Sequence, residues 1–399
     1  MSRNSFPGRR DILDQLLHLR AADKLGQPFL LTGPEGSGKE NTALEFARLI
    51  NCADPASCGP EHLCESCIKV LGFQHPDVRW IGPAPAAVKE DEVRDLMVSK
   101  IANPFHQSPW SATAQLGIGD PENPGPLTIR SVIRFLRNRA FQSPFKVAIV
   151  ADSHRMNQAS ANAFLKTLEE PPPQTVIFML SSSAEGMLPT ILSRCQKIRF
   201  DPWPEAELIP LLQGQSGVDQ KTAGQAARAA DGNARRALSL LKPGAGIYLD
   251  WATRLFGWIQ GSDRAMAAIA ADELHRGVIS HACELDDEAA GTPEAKPAKD
   301  SSLRRERAIR LCELLNLLYS DTVACRELGQ QWKPRLASAS GMVAAAGPKR
   351  KTGSLLREMA LIEGSRQEID RNINIGLSMA VLFEGLIDHV ERDKGTWTG

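Results

Sequence analysis

The sequence predicts an α/β core built on a phosphate-binding loop, with a cysteine module inserted into it, followed by helical regions to the C-terminus. Three observations carry this. A G-x-x-x-x-G-K run, Gly33 to Lys39, sits between a strand pattern and a helix pattern. Short apolar strands alternate with helices up to Phe200. Beyond Trp203 no strand pattern recurs. Strands that alternate with helices pair in parallel, since each crossover needs a helix to bring the chain back to the same end of the sheet.

The elements follow in order. Apolar residues at Ile12, Leu13, Leu16, Leu17 and Leu19 predict an amphipathic helix over Asp11 to Ala22. Pro28 to Thr32 is a short buried strand, and Glu40 to Ile50 a helix. The cysteine segment comes next, then a strand at Val78 to Ile81 and a charged helix at Lys89 to Ile101. Asn103 to Pro126, rich in Pro, Gly, Ser and Asn, reads as a long surface loop. Helices at Thr128–Ala140 and Ser160–Glu170 alternate with strands at Lys146–Val150 and Thr175–Leu180. Pro171-Pro-Pro173 stops the second of these helices, because proline lacks the N–H and clashes with the preceding turn. A short helix at Leu188–Leu192 and a strand at Cys195–Phe200 complete the core. The expected domains are residues 1–202, a helical lid at 203–243 and an all-α domain at 244–399. Asp286 to Ser302 interrupts the last of these as a predicted disordered loop.

Acidic and basic residues number 47 each, so the whole chain offers no global field to attract nucleic acid or a membrane. No apolar run reaches the roughly 18 residues of a membrane span. The first eight residues lack the apolar region of a signal peptide, so a cytoplasmic chain is expected.

In the phosphate loop, Gly33, Gly36 and Gly38 let backbone N–H groups, with Ser37, close on phosphate oxygens. Lys39 reaches the terminal phosphates, and the following helix adds its positive end. The next position calls for Ser or Thr to hold Mg²⁺, yet here it is Glu40. A carboxylate there either repels phosphate or sits as a first-turn helix charge. A second site needs an Asp at the end of a neighbouring strand, often followed by Glu. The strand Lys146–Val150 ends Ala151-Asp152, leaving one carboxylate where two are usual, unless Asp152 merely caps the next turn. The loop therefore has three readings: a turn that binds nothing, a loop that holds ATP weakly or without metal, and a working ATPase site.

Cys52, Cys58, Cys64 and Cys67 supply four thiols within 16 residues. The two-residue gap between Cys64 and Cys67 suits one tetrahedral ion, so a structural Zn²⁺ is expected. His62 is a possible substitute ligand, and free thiols or redox chemistry at Cys64/Cys67 are the alternatives. Arg194 follows a short helix at a domain edge, where a planar, permanently charged guanidinium can reach a neighbour's phosphate. An ordinary surface arginine is the plain alternative.

Asn162-Ala-Phe-Leu-Lys-Thr-Leu-Glu-Glu-Pro-Pro172 and Thr190-Ile-Leu-Ser-Arg-Cys195 resemble signature segments of the bacterial replicative clamp-loader AAA+ ATPases. The cysteine module after the phosphate-loop helix, His75-Pro76-Asp77 and Asn372-Ile-Asn374 resemble that family too. The likeness is clear over residues 7–240 and loose beyond. It implies an AAA+ core, a lid and a C-terminal collar that oligomerises. It implies gamma/tau and delta subunits as partners, and through them the sliding clamp and primer–template DNA. Arg194 is then an arginine finger acting in a neighbouring subunit's ATP site. Asp231 to Leu238 resembles a sensor-2 segment, with Arg235 facing phosphate. Glu40 and Ala151 point to a non-hydrolysing member, and an active gamma/tau-like ATPase is the alternative. The gap between Cys58 and Cys64 is wider than the family's usual two residues.

Overall fold

The computed structural model describes residues 7–59, 62–111, 114–183, 186–242, 245–269, 297–370 and 374–395. The chain divides into two compact units, one formed by residues 1–215 and 230–236, the other by 216–229 and 237–399.

The first unit is a five-stranded parallel sheet flanked by helices. Its strands are β1 (Phe29–Thr32), β2 (Val78–Ile81), β3 (Lys146–Val150), β4 (Thr175–Ser181) and β5 (Gln196–Arg199). Their spatial order is β2-β3-β4-β1-β5, all parallel, with Leu31 opposite Leu180 on one side and Ile198 on the other. β3 and β4 are buried along their whole length, as a strand covered on both faces should be. The helices around the sheet are α1 (Arg10–Ala21), α2 (Lys39–Ile50), α3 (Glu65–Leu71), α4 (Glu90–Ala102), α5 (Ile129–Arg137), α6 (Gln158–Glu169) and α7 (Pro189–Leu192), and a further helix, Glu205–Ser216, follows β5. Among the described residues no strand follows Arg199. Phe178 anchors the core where α2 meets the sheet: its ring lies 5.6 Å from Phe29 and 5.7 Å, edge-on, from Phe46.

This strand order places the functional segments. In a parallel sheet all strands end at one edge, and ligands collect outside those carboxyl ends. β1 runs directly into Gly33, and β3 into Ala151-Asp152. Only β4 separates the two strands, so the loop and Asp152 stand about 10 Å apart in the sheet direction.

A buried polar hub holds the cysteine segment to this core. The Asp77 carboxylate, 1 % exposed, accepts backbone N–H bonds from Phe141 (2.7 Å), Gln142 (2.7 Å) and Ser143 (3.0 Å). His75 Nδ1 accepts from Asp77 N–H at 3.0 Å, and its Nε2 lies 3.1 Å from both Ser66 Oγ and Ser143 Oγ. Ser66 Oγ in turn donates to Asn51 O at 2.6 Å, at the end of α2. Burial lowers the His75 pKa below the ordinary histidine value, with Asp77 opposing. The His75-Pro-Asp77 segment thus joins α2, α3, β2 and the 141–143 turn.

Two expectations are corrected. Asn103–Pro126 is a loop, exposed at residues 120–123, but it does not lie wholly on the surface. Phe105, Ser108, Ser111 and Leu116 are buried in it, and Leu116 bridges to Met156 in parallel. Arg130 donates to Gly119 O, and Arg134 Nη2 to Pro121 O and Glu122 O (both 3.1 Å), so α5 holds the segment by its carbonyls. Of the predicted Asp286–Ser302 loop, residues 286–296 lie outside the described residues, while 297–302 open the long helix Pro297–Leu328. Asn372 and Ile373 also lie outside them, and Asn374 caps the last helix by accepting from Leu377 N–H.

The second unit is helical. The helix Pro297–Leu328 packs on Thr352–Asp370 and on Ala245–Gly261, and Thr352–Asp370 on Ile375–Lys394. Phe256 meets Tyr319 edge-on at 5.3 Å. Arg350, 2 % exposed, pairs with fully buried Glu358 and with Asp393 at 3.2 Å, and donates to Gln260 Oε1 at 2.7 Å. One guanidinium therefore ties three helices together. No described helix is long and apolar enough to cross a membrane.

Candidate nucleotide site, cysteine cluster and arginine

The phosphate loop adopts its form through its glycines. Gly36 (φ 70°) and Gly38 (φ 89°) are left-handed, where side chains are strained. A Cβ on Gly36 would fall 2.0 Å from Asn233 Oδ1, and one on Gly38 would fall 2.7 Å from the Trp203 ring. Gly36 O accepts from Trp203 Nε1 (3.0 Å) and Ala234 N–H (3.1 Å). The segment around Asn233 thus lies directly on the loop, and Arg235 forms an ion pair with Glu35.

Lys39 curls over its own loop, donating to Gly33 O (2.6 Å), Pro34 O (2.7 Å) and Ser37 Oγ (3.3 Å). Burial brings its pKa down to about 8, against the pull of Glu35, Asp152 and Glu40. One cavity is lined by Ser37, Lys39, Glu40, Lys100, Asp152 and Arg235, among others. Asp152 has a left-handed backbone (φ 46°), and its side chain makes no capping bond to the following turn. Asn41, 1 % exposed, lines the same cavity, and its carboxamide oxygen has no hydrogen-bond partner.

Glu40 neither stands free at the helix start nor simply faces phosphate. Its carboxylate pairs with Lys100 Nζ at 2.6 Å. Lys100 is only 3 % exposed, donates also to His106 O at 3.1 Å, and lies 4.6 Å from the centre of the Trp80 ring. Burial raises the Glu40 pKa, and Lys100 opposes that rise. Sequence reasoning missed Lys100. The available signal was its place on the α4 stripe of Val93, Leu96, Met97 and position 100, where a buried lysine needs a partner.

The four cysteines converge. Their sulfur atoms all lie within 4.8 Å of one another, with Cys52 to Cys64 at 3.9 Å and Cys58 to Cys67 at 4.0 Å. Tetrahedral zinc with Zn–S bonds of about 2.3 Å needs sulfurs about 3.8 Å apart. The wide Cys58–Cys64 gap is closed by a turn in which Gly59 and His62 exchange backbone bonds, and Cys64 N–H donates to Cys58 Sγ at 3.0 Å. His62 is exposed and outside the cluster. Burial disfavours ionised Cys64, but N–H groups of Cys67 and Ala53 and the neighbouring thiols outweigh it and bring its pKa down to about 6. Arg48, forked on Glu45 (2.6 and 2.9 Å), places Nη1 3.4 Å from Cys67 Sγ. These residues fit a metal ion: four free thiols converge on one point, with Cys64 favouring the thiolate while burial holds Cys52 and Cys67 toward the neutral thiol.

Arg194 lies between α7 and β5, its side chain 31 % exposed. Its Nε (2.8 Å) and Nη2 both engage Glu169 Oε1, and Nη1 donates to Thr190 O at 2.7 Å. Glu169 was not foreseen as its partner, although it belongs to the 162–172 signature segment; the ion pair links the end of α6 to the turn after α7. Gly36, Ser37, Gly38, Lys39, Glu40, Asp152 and Arg235 share the cavity, while Gly33, Arg194 and the cysteines are not among its lining residues.

A family model described as "DNA polymerase III, delta subunit" matches residues 8–118 and 127–204. A DNA polymerase III subunit gamma/tau of Mycobacterium tuberculosis is 29 % identical over 266 residues, covering 63 % of this chain and 39 % of its own length. A DNA polymerase III subunit delta' of Pseudomonas aeruginosa is 31 % identical over 169 residues, covering 42 % and 40 %. The match to each thus spans about two fifths of that relative. A gamma-subunit-related protein of Thermotoga maritima superposes over 96 % of this chain and 99 % of its own, at 19 % identity and a TM-score of 0.39. On the family match and the delta-prime relatives, residues 8–204 of this chain are similar to the delta-prime type of bacterial DNA polymerase III subunit.

Proposed function

We propose that this chain acts in a replicative clamp loader without hydrolysing ATP efficiently itself, and contributes Arg194 to the ATP site of an adjacent gamma/tau subunit. The observation that carries this reading is the Glu40–Lys100 ion pair. Hydrolysis needs a hydroxyl at position 40 to help hold Mg²⁺ and a paired acidic site at the end of β3. Position 40 is instead a carboxylate already neutralised by a buried ammonium, and position 151 is alanine. Arg194 is partly exposed and held side-on by Glu169, which supports a role directed outward.

In this reading Gly33, Gly36, Ser37, Gly38, Lys39 and Arg235 are an inherited phosphate cradle, and Glu40 and Asp152 a degenerate metal site. Cys52, Cys58, Cys64 and Cys67 hold a structural Zn²⁺, which fixes the module's fold rather than supplying chemistry. Residues 1–202 form the AAA+ core, 203–243 a lid and 244–399 a collar that joins delta and gamma/tau subunits. The assembled complex places the sliding clamp on primer–template DNA. A second reading, an active gamma/tau-like ATPase, is favoured by the gamma/tau match over 63 % of the chain. Turnover of ATP by the purified chain separates the two. None is expected; clear turnover, abolished by Lys39→Ala, establishes the second.

A further inference from the structure

We propose that the free edge of β2 is a docking site for an extended peptide segment of a partner protein, one that reads apolar–acidic–apolar over three residues. This surface is distinct from the nucleotide cavity, with which it shares only Trp80 among its lining residues.

β2 ends the sheet and, among the described residues, pairs only with β3. In a parallel ladder each residue turns its N–H and C=O to the same neighbouring strand, and the next residue turns both the other way. Asp77 O and Ile81 O accept from Val147 N–H and Ala151 N–H at 2.8 Å, so Asp77, Arg79 and Ile81 face β3. Val78 and Trp80 therefore turn their backbone groups outward. Val78 N–H is taken by His75 O at 3.2 Å. Among the described residues nothing meets Val78 O, Trp80 N–H or Trp80 O, although Trp80 is only 7 % exposed. Buried backbone groups seldom stay unpaired. A donor between two acceptors is the set that an added strand satisfies.

A cavity of about 340 Å³ runs along this edge. Successive strand residues point to opposite faces of a sheet. Trp80 lies on the face of α4, beside Lys100, and Arg79 on the face of α5, its guanidinium 5.3 Å from the centre of the Phe135 ring. Both line the one cavity, so it wraps the unpaired side of the strand. On the first face its wall is apolar: Leu44, Val70, Val93 and Met97. On the second face the charge is positive. Lys146 Nζ sits 4.2 Å from the same Phe135 ring and donates to Phe135 O at 2.6 Å. Among the described residues neither cation has a carboxylate in an ion pair, and Asp77 is taken up by three backbone N–H groups. Burial lowers the Arg79 pKa, and no carboxylate pulls it back. Residues opposite one another on neighbouring strands share a face. Apolar side chains opposite Val78 and Trp80 would fill the first side, and an acidic one opposite Arg79 would meet the guanidinium.

The test is selection of phage-displayed random heptapeptides on the full chain, followed by titration of the selected peptides in solution. The proposal predicts enrichment of an apolar–acidic–apolar triplet. Arg79→Gln, and exchange of the peptide's acid for its amide, should each weaken binding about tenfold or more. The two together should cost little further, because they remove the same bond. On the unaltered chain, hydrogen exchange at the Trp80 amide should slow at saturating peptide, and a peptide N-methylated at each amide of the triplet should not bind. This second measurement needs no variant, so it decides the strand pairing even if Arg79→Gln does not fold. Failure to enrich the triplet, binding indifferent to Arg79→Gln in a folded variant, or unchanged exchange at Trp80 overturns the proposal. Binding of a small amphiphilic acid, phenylbutyrate, without binding of any peptide also overturns it, and assigns the cavity to a small ligand.

Discussion

Replacing Asp77 by alanine should unseat the turn at residues 141–143 and loosen the cysteine segment with it. The carboxylate accepts three backbone N–H bonds of 2.7, 2.7 and 3.0 Å in a site where Asp77 is 1 % exposed. A hydrogen bond to a charged acceptor contributes roughly 1.5–3 kcal/mol, so three give an upper range of about 5–9 kcal/mol. The Phe141 side chain is 83 % exposed, and water can reach part of the turn once the carboxylate is gone. The expected loss is therefore about 3–5 kcal/mol, a large part of the roughly 5–15 kcal/mol that holds a typical domain. Asp77→Asn keeps one acceptor oxygen and should lose about half as much. Urea unfolding gives the total, and hydrogen exchange at residues 141–145 gives the local effect, which should precede global unfolding in the alanine variant. An alanine variant within about 1 kcal/mol of wild type, with exchange at 141–145 unchanged, would refute the hub.

Further outcomes follow from the same geometry. Protein purified without chelator should carry about one equivalent of zinc, Cys64→Ser should lose it, and metal content below about half an equivalent argues against a structural site. Burial raises Glu358 to about 7, against the pull of Arg350, so the folded state binds a proton there that the unfolded chain has released. Stability of the helical unit should then fall as pH rises from about 4.5 to 7, by at most about 3 kcal/mol. Glu358→Gln should flatten that slope in thermal melts recorded across the window. Glu169→Ala breaks a part-exposed pair and should change stability by less than about 1 kcal/mol, while freeing the Arg194 side chain. A larger change in melting would show that the pair is structural.

Most strands were legible as short apolar runs, and Val78–Ile81 and Lys146–Val150 fall where the pattern puts them. Helix ends shifted by one to three residues, as at Gln158, where Asn157 supplies the cap. Glu65–Leu71 was missed because seven residues are too few to display a helical period beside the cysteine turns. The phosphate loop and cysteines were visible as local patterns, since their chemistry depends on near neighbours. What was not visible is pairing across the chain. Lys100 meets Glu40 across sixty positions, Asp77 meets the 141–143 turn across more than sixty, and Glu169 meets Arg194 across twenty-five. Low complexity at 103–126 suggested a solvent-facing loop, but Phe105 and Leu116 are few and well spaced, and only the fold shows that they are buried.

The central claim is that the chemistry this chain supports takes place in a neighbour. It is tested most directly by reconstituting the loader with Arg194→Ala and measuring its DNA-stimulated ATPase beside that of the wild-type assembly. The account predicts intact folding, intact assembly and a markedly lower rate. An unchanged rate in a fully assembled complex would contradict it.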